Sequence, residues 1–139
     1  MATINLALNV QVVGGPTVLI SKSKSVQAYD KIEVVIEAGS NEKSVEVQPG
    51  AADDVSFLLI KSSVYSSKQS LLTYRVSDGT SDFPDSTEPA KPAIALDEPH
   101  LYFGLGAVSA FGLAPKILKF TNSTATPAAI EILVGRDAI

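Results

Sequence analysis

His100 is the single histidine in 139 residues, and it follows two carboxylates in the run Asp97-Glu98-Pro99-His100. A neighbouring acid can tune an imidazole for proton transfer. The chain holds no cysteine and no G-x-S-x-G or H-E-x-x-H pattern, so neither an activated nucleophile nor a paired zinc ligand goes with it. A lone histidine also falls short of the two or three that catalytic zinc sites commonly use. His100 is therefore expected on a partly exposed loop without a catalytic role, and the chain is expected not to be an enzyme.

Carboxylates gather at Asp53/Asp54, at Asp82/Asp85/Glu88 and at Asp97/Glu98, and each group could offer oxygen atoms to calcium. None has the spacing of a calcium-binding loop, and acids in turns commonly serve to solvate them. If a metal binds at all, Asp82, Asp85 and Glu88 are the candidates; no cofactor is expected. Gly104-Leu105-Gly106 lacks the third glycine, the lysine and the following helix of a phosphate loop, and is expected to be a strand bend or bulge. Tyr29, Tyr65, Tyr74 and Tyr102 could stack on sugar rings, but the chain has no tryptophan and sheet tyrosines mainly pack. Asn122-Ser123-Thr124 has the form of a glycosylation site and is expected to be a turn.

The elements that must position these residues follow a period of two. Ile4, Leu6, Leu8, Val10 and Val12 fall on one side of a segment whose other side carries Asn5, Asn9 and Gln11. That spacing gives a half-buried strand one apolar face. Gly14-Gly15-Pro16 ends it and Thr17–Ser21 resumes as a second strand, with Lys22, Lys24 and Lys31 expected on a polar face and its turn. Ile32, Val34 and Ile36 alternate with Glu33, Val35 and Glu37, Lys43–Gln48 returns, and Pro49-Gly50 signals a turn. Val55–Lys61 is an unbroken apolar run of strand length, which predicts a central strand covered on both sides. Further strands are expected at Leu71–Ser77, Ala93–Leu96, Leu101–Phe103, Ala107–Phe111, Lys116–Asn122 and Ala128–Val134. Short, regularly spaced strands with Gly/Pro turns predict a single all-β domain over 1–139, an antiparallel β-sandwich or jelly roll of about nine to eleven strands.

Composition narrows the setting. The chain is 45% hydrophobic and 19% charged, with a mean hydropathy of +0.22. Area scaling gives about 7,000 Å² of surface for a folded chain of this mass, and an apolar excess on so small a body points to a subunit interface. Eleven basic residues against fifteen acidic ones, with no basic stripe, predict no nucleic-acid partner. No apolar run reaches membrane-helix length and MATINLALNV carries no basic leader, so neither a membrane nor the common export route is expected. The absence of cysteine suits a cytosolic origin.

Two segments suggest contacts with a partner. Thr80–Pro92 carries three prolines and one large apolar residue, Phe83. It reads as a surface loop, or as an arm lying on a neighbouring subunit with Phe83 as its anchor. In the C-terminal run, Ile130, Ile132 and Val134 alternate up to Gly135, followed by Arg136, Asp137 and Ile139. It reads as a terminal strand held in the sheet, or as an edge that docks on a partner. On the second reading, Ile132, Val134, Arg136, Asp137 and Ile139 are interface candidates. Deletion of Gly135–Ile139 would then weaken assembly more than folding.

The Cys-free, Ser/Thr/Ala-rich chain, the alternating strand Thr3–Val13, the Pro-rich segment Thr80–Pro92 and the closing Leu118–Ala138 (LKFTNSTATPAAIEILVGRDA) together resemble phage virion structural proteins, in particular head decoration or cement proteins. The resemblance implies a homo-oligomer, a trimer by preference, that sits on a major capsid protein at symmetry axes and reinforces the shell. It also implies location in the virion, or in the host cytoplasm before assembly. The alternative is a carbohydrate- or calcium-binding β-sandwich module, such as a tail or receptor-binding component.

Overall fold

The computed structural model describes residues 1–47, 54–66 and 71–137. Pro49-Gly50, Asp53 and Ile139 lie outside them, as does the side chain of Asp54. The chain runs β1 (Ala2–Gln11), β2 (Thr17–Val26), β3 (Ala28–Ile36), β4 (Lys43–Glu46), β5 (Asp54–Ser62) and β6 (Leu72–Ser77), then β7 (Asp82–Phe83), β8 (Ile94–Ala95) and β9 (His100–Phe103). A five-residue helix α1 (Leu105–Ser109), β10 (Ile117–Asn122) and β11 (Ala128–Asp137) complete it.

Strands β3 to β11 form two antiparallel sheets, ordered β3-β11-β5-β9 and β4-β10-β6-β7, with β8 also paired to β6. The two short strands β7 and β8 bond different parts of β6, Val76–Ser77 and Thr73–Tyr74, so together they fill one strand position. The chain passes back and forth between the sheets, and its last strand inserts between β3 and β5. That winding is a jelly roll, the sandwich variant built from two interlocked Greek keys. The expected all-β sandwich is therefore the fold.

Alternation explains the packing. Along β11, Ala128, Ile130, Ile132 and Val134 point inward and are buried, while Ala129, Glu131 and Leu133 face out. Leu72, Tyr74 and Val76 of β6 and Leu118 and Phe120 of β10 meet them from the opposite sheet. The apolar run of β5 lies between β11 and β9, with Val55, Phe57, Leu58 and Ile60 buried, as expected of a covered central strand. At the end of β10 the fully buried Asn122 side chain joins the two sheets. Its Nδ2 donates to the Ile36 and Thr126 carbonyls at 2.9 and 3.0 Å, and its Oδ1 accepts from the Thr124 amide and hydroxyl at 3.0 and 2.6 Å. The turn expected at Asn122-Ser123-Thr124 is thus built on the buried asparagine itself.

Two local expectations change. Ala107–Phe111 lies in α1 and the turn after it, because Val108 and Phe111 are three residues apart and bury one side of a helical turn. Gly104, at φ 97°, is the break that lets strand pass into helix, so the glycine pair introduces a helix in place of a strand bend.

Strands β1 and β2 belong to neither sheet. They pair only with each other along their full lengths, from Ala2↔Val26 to Gln11↔Thr17. Ten residues of strand make a ribbon of about 33 Å, closed by Val12–Pro16 with Gly14 at φ 75° and Val12 N–H donating to the Pro16 carbonyl at 3.0 Å.

Candidate functional site

The hairpin is the part of the molecule whose sequence and surroundings disagree. Its register places Leu6 opposite Lys22, Leu8 opposite Ile20 and Val10 opposite Val18. Directly paired residues share a face, so the apolar residues of both strands form one stripe. The other face is mainly polar, with Leu19 across from Asn9 as its one large apolar residue and Ser23 Oγ donating to Asn5 Oδ1 at 2.7 Å. The half-buried strand read from Ile4 to Val12 is present, but its apolar face is covered only at the base. Leu8, Val10, Val18 and Ile20 on this face are all exposed, as are Val12 and Val13 at the turn, Val13 at 97%; Leu19, at 72%, is exposed on the opposite face across from Asn9. A two-stranded hairpin on its own is marginal in water, and contiguous apolar surface on a small domain marks a contact site.

The base is firmly held. Ile4 Cδ1, Val26 Cγ1 and Phe57 Cβ close over Gly135, where an added Cβ would lie 2.9, 3.1 and 3.2 Å from them. Gly135 is thus a close-approach glycine that lets the hairpin sit on the sheet. Lys24 pairs with Asp137 at 3.4 Å, and Gln27 N–H donates to the Arg136 carbonyl at 2.8 Å. The expected polar face for Lys22 and Lys24 is corrected: both stand on the apolar side of the hairpin, across from Leu6 and Ile4. The period of β2 changes from apolar to basic towards the base, where Lys24 meets the acid of β11.

Of the C-terminal interface candidates, Ile132, Val134, Arg136 and Asp137 serve the fold. Ile132 and Val134 are fully buried in the core, because the winding makes β11 an interior strand rather than an edge. Arg136 donates to Asp30 Oδ2 at 2.6 Å and to the Val47 carbonyl at 3.3 Å, and Asp137 accepts from Ser56 Oγ at 3.0 Å. Gly135–Asp137 pair with β5, so their deletion removes sheet structure along with the hairpin's footing.

Thr80–Pro92 is no free arm. Asp82 and Phe83 pair with β6, Arg75 Nη1 donates to the Pro84 carbonyl at 2.8 Å, and the Phe83 ring lies 5.8 Å from that of Phe111. Phe83 remains 37% exposed, yet its anchor point is its own chain. Asp82 and Asp85 of this segment are engaged locally as well. Lys119 Nζ reaches both oxygens of Asp82 at 3.1 and 3.2 Å, while Asp85 Oδ1 accepts from the Thr87 amide and hydroxyl at 2.8 and 2.7 Å. Burial acts to raise the Asp82 pKa, but bonds from Ser86, Ser77 and Lys119 outweigh it and hold the carboxyl below its ordinary value. Among the described residues, no three His, Cys, Asp or Glu side chains come together as a metal site, so Asp82, Asp85 and Glu88 do not converge.

His100 begins β9 instead of lying on a loop, and its side chain is 21% exposed. Tyr74, from the opposite sheet, brings its hydroxyl to 2.7 Å from His100 Nδ1 and 2.6 Å from the Tyr102 hydroxyl. His100 Nε2 lies 3.3 Å from Asp97 Oδ1. With the proton on Nε2, Tyr102 donates to Tyr74, Tyr74 to His100 and His100 to Asp97, which satisfies every contact. Phe111 completes the group, 4.8 Å from the Tyr102 ring. The cluster links the two sheets beside β9, and nothing in the sequence marked Tyr74 or Tyr102 as partners of the histidine. Burial raises the pKa of both tyrosines. A raised tyrosine pKa stabilises the fold fully below the unfolded value of about 10, and that contribution is lost as pH rises further. Alkaline denaturation should therefore steepen above about pH 10 and be flatter in Tyr74→Phe. An identical alkaline limb in the two proteins would refute this reading of the cluster.

A depression of about 420 Å³ lies beside α1 between Val55, Leu105, Val108, Leu113 and Pro115, and no titratable side chain among the described residues lines it. Comparisons with family models, with curated proteins and with solved structures find no match to this chain.

Proposed function

We propose that this protein is a non-enzymatic structural component of a virus particle, a decoration or cement protein that stabilises the shell through oligomeric contacts. Its partners are further copies of itself, in a trimer by preference, and a major capsid protein. Its place is the virion, or the host cytoplasm before assembly. One observation carries the reading: a hairpin of about 33 Å, seated on a jelly-roll body at its base only, holds an apolar stripe out into water. Such a stripe supplies contact area, which is what a reinforcing protein must add, and it needs no reactive group. The jelly-roll winding suits the role, being common in viral shells, although lectins use it too. The His100 cluster and the locally paired Asp82 and Asp85 give the sugar- or calcium-binding alternative no particular support.

The test is direct. Virus-sized particles purified from the source should contain this chain in fixed proportion to the main shell subunit. Stripping it should lower the temperature at which they rupture, and adding it back should restore that temperature. Particles that lack the chain, or whose rupture is indifferent to it, would overturn the proposal.

A further inference from the structure

We infer that the apolar stripe of the β1–β2 hairpin docks on the outer face of the β3-β11-β5-β9 sheet of a second copy of this chain, in a head-to-tail contact. This deepens the assembly reading by naming the two surfaces.

The receiving surface is a row of leucines. Leu133, Leu59 and Leu101 stand directly across from one another on adjacent strands, on the side facing away from the core. All three are only half-buried. A groove of about 130 Å³ runs beside this row, lined by Leu59 and Leu133 together with Lys31, Lys61 and Glu131. The solvent-facing side of a sandwich sheet is ordinarily polar, so three aligned leucines there are a second unfilled apolar surface. The row is continuous with the patch at Phe57 and Gly135 on which the hairpin's own base already rests.

Area and charge agree with this occupant. The chain exposes 7920 Å², roughly 900 Å² more than area scaling gives for its mass. A specific interface takes about 800 Å² from each partner, so the excess is about what one surface, the uncovered hairpin, would contribute to one such contact. Residues 1–26 contain Lys22 and Lys24 and no acid; of 11 basic and 15 acidic residues, 9 basic and 15 acidic remain elsewhere. With Lys24 already paired to Asp137 of its own chain, Lys22 still favours a body whose acids outnumber its basic residues 15 to 9 over a second hairpin, and on the receiving face Glu33 and Glu131 balance Lys31 and Lys61. A contact between unlike surfaces closes into a ring when its rotation permits, which accommodates a trimer.

The experiment mixes two variants followed by sedimentation velocity. Val10→Thr/Val18→Thr/Ile20→Thr removes the stripe and keeps residues that favour strands; Leu59→Thr/Leu101→Thr removes the receiving row. Each variant alone should sediment as a monomer, and the two mixed should form a one-to-one dimer, since one intact contact remains between them. An oligomer that survives in either variant alone, or a mixture that stays monomeric, would overturn the inference. Survival in the hairpin variant would leave the shell role standing and move the self-contact elsewhere. Should a variant lose its fold by circular dichroism, disulfide trapping decides, because the chain has no native cysteine. Val10→Cys/Leu101→Cys should give chain-to-chain crosslinks in oxidant, and their absence would overturn the inference equally.

Discussion

Ile132→Ala should lower folding stability by about 2–5 kcal/mol, the usual cost of cutting a large buried aliphatic side chain to alanine. The site is fully buried at the middle of β11, with Ile32 directly across on one neighbouring strand and Ile60 on the other. An interior strand bonded on both sides has little freedom to collapse into the space left behind, which favours the upper part of that range. Domains of this kind have about 5–15 kcal/mol in all, so the variant should unfold at clearly lower denaturant. The molecules that remain folded should keep the wild-type oligomeric mass, since Ile132 faces no partner. Unchanged stability with lost assembly would return Ile132 to the interface.

Asn122→Ala should cost on the order of 2–3 kcal/mol, because it leaves buried polar groups without partners. The side chain uses both amide hydrogens and its oxygen to tie the end of β3 to the turn before β11. Removing it strands the Ile36 carbonyl, in a residue with no exposure, and frees the turn at Thr124–Thr126. Asn122→Asp should not rescue, since a carboxylate cannot donate to those carbonyls and adds a buried charge. Denaturant midpoints of the three proteins check this, and an alanine variant as stable as wild type would contradict it.

These two sites show where local sequence reading succeeds and where it stops. Alternation at Ile130, Ile132 and Val134 correctly announces a strand with one buried face. It says nothing about which strands lie on either side, so the pattern fits a strand held in the sheet and an edge alike. The long-range winding of the jelly roll decides that β11 is interior. The apolar run of β5 is legible as central because both of its faces are apolar, one against the core and one covered by the hairpin base at Phe57 and half-buried at Leu59. Thr80–Pro92 reads as a surface loop or an arm because prolines interrupt strand pairing, yet Asp82 and Phe83 still find β6.

The hairpin is the reverse case. Alternation from Ile4 to Val12 identified the strand, and the same pattern would serve whether the face met its own core or another molecule. The signal that could have separated these lies in pairing β1 with β2 through Gly14-Gly15-Pro16. That pairing puts Leu8 with Ile20 and Val10 with Val18 at the end farthest from the rest of the chain. The His100 cluster had no such signal, because Tyr74 is 26 residues away and reaches the histidine only across the sandwich.

Native mass spectrometry of the wild-type protein at micromolar concentration tests the central claim most directly, that this chain is built to assemble through its uncovered apolar surface. The account predicts an oligomer of bare chains, three copies by preference. A monomer at every concentration would contradict it.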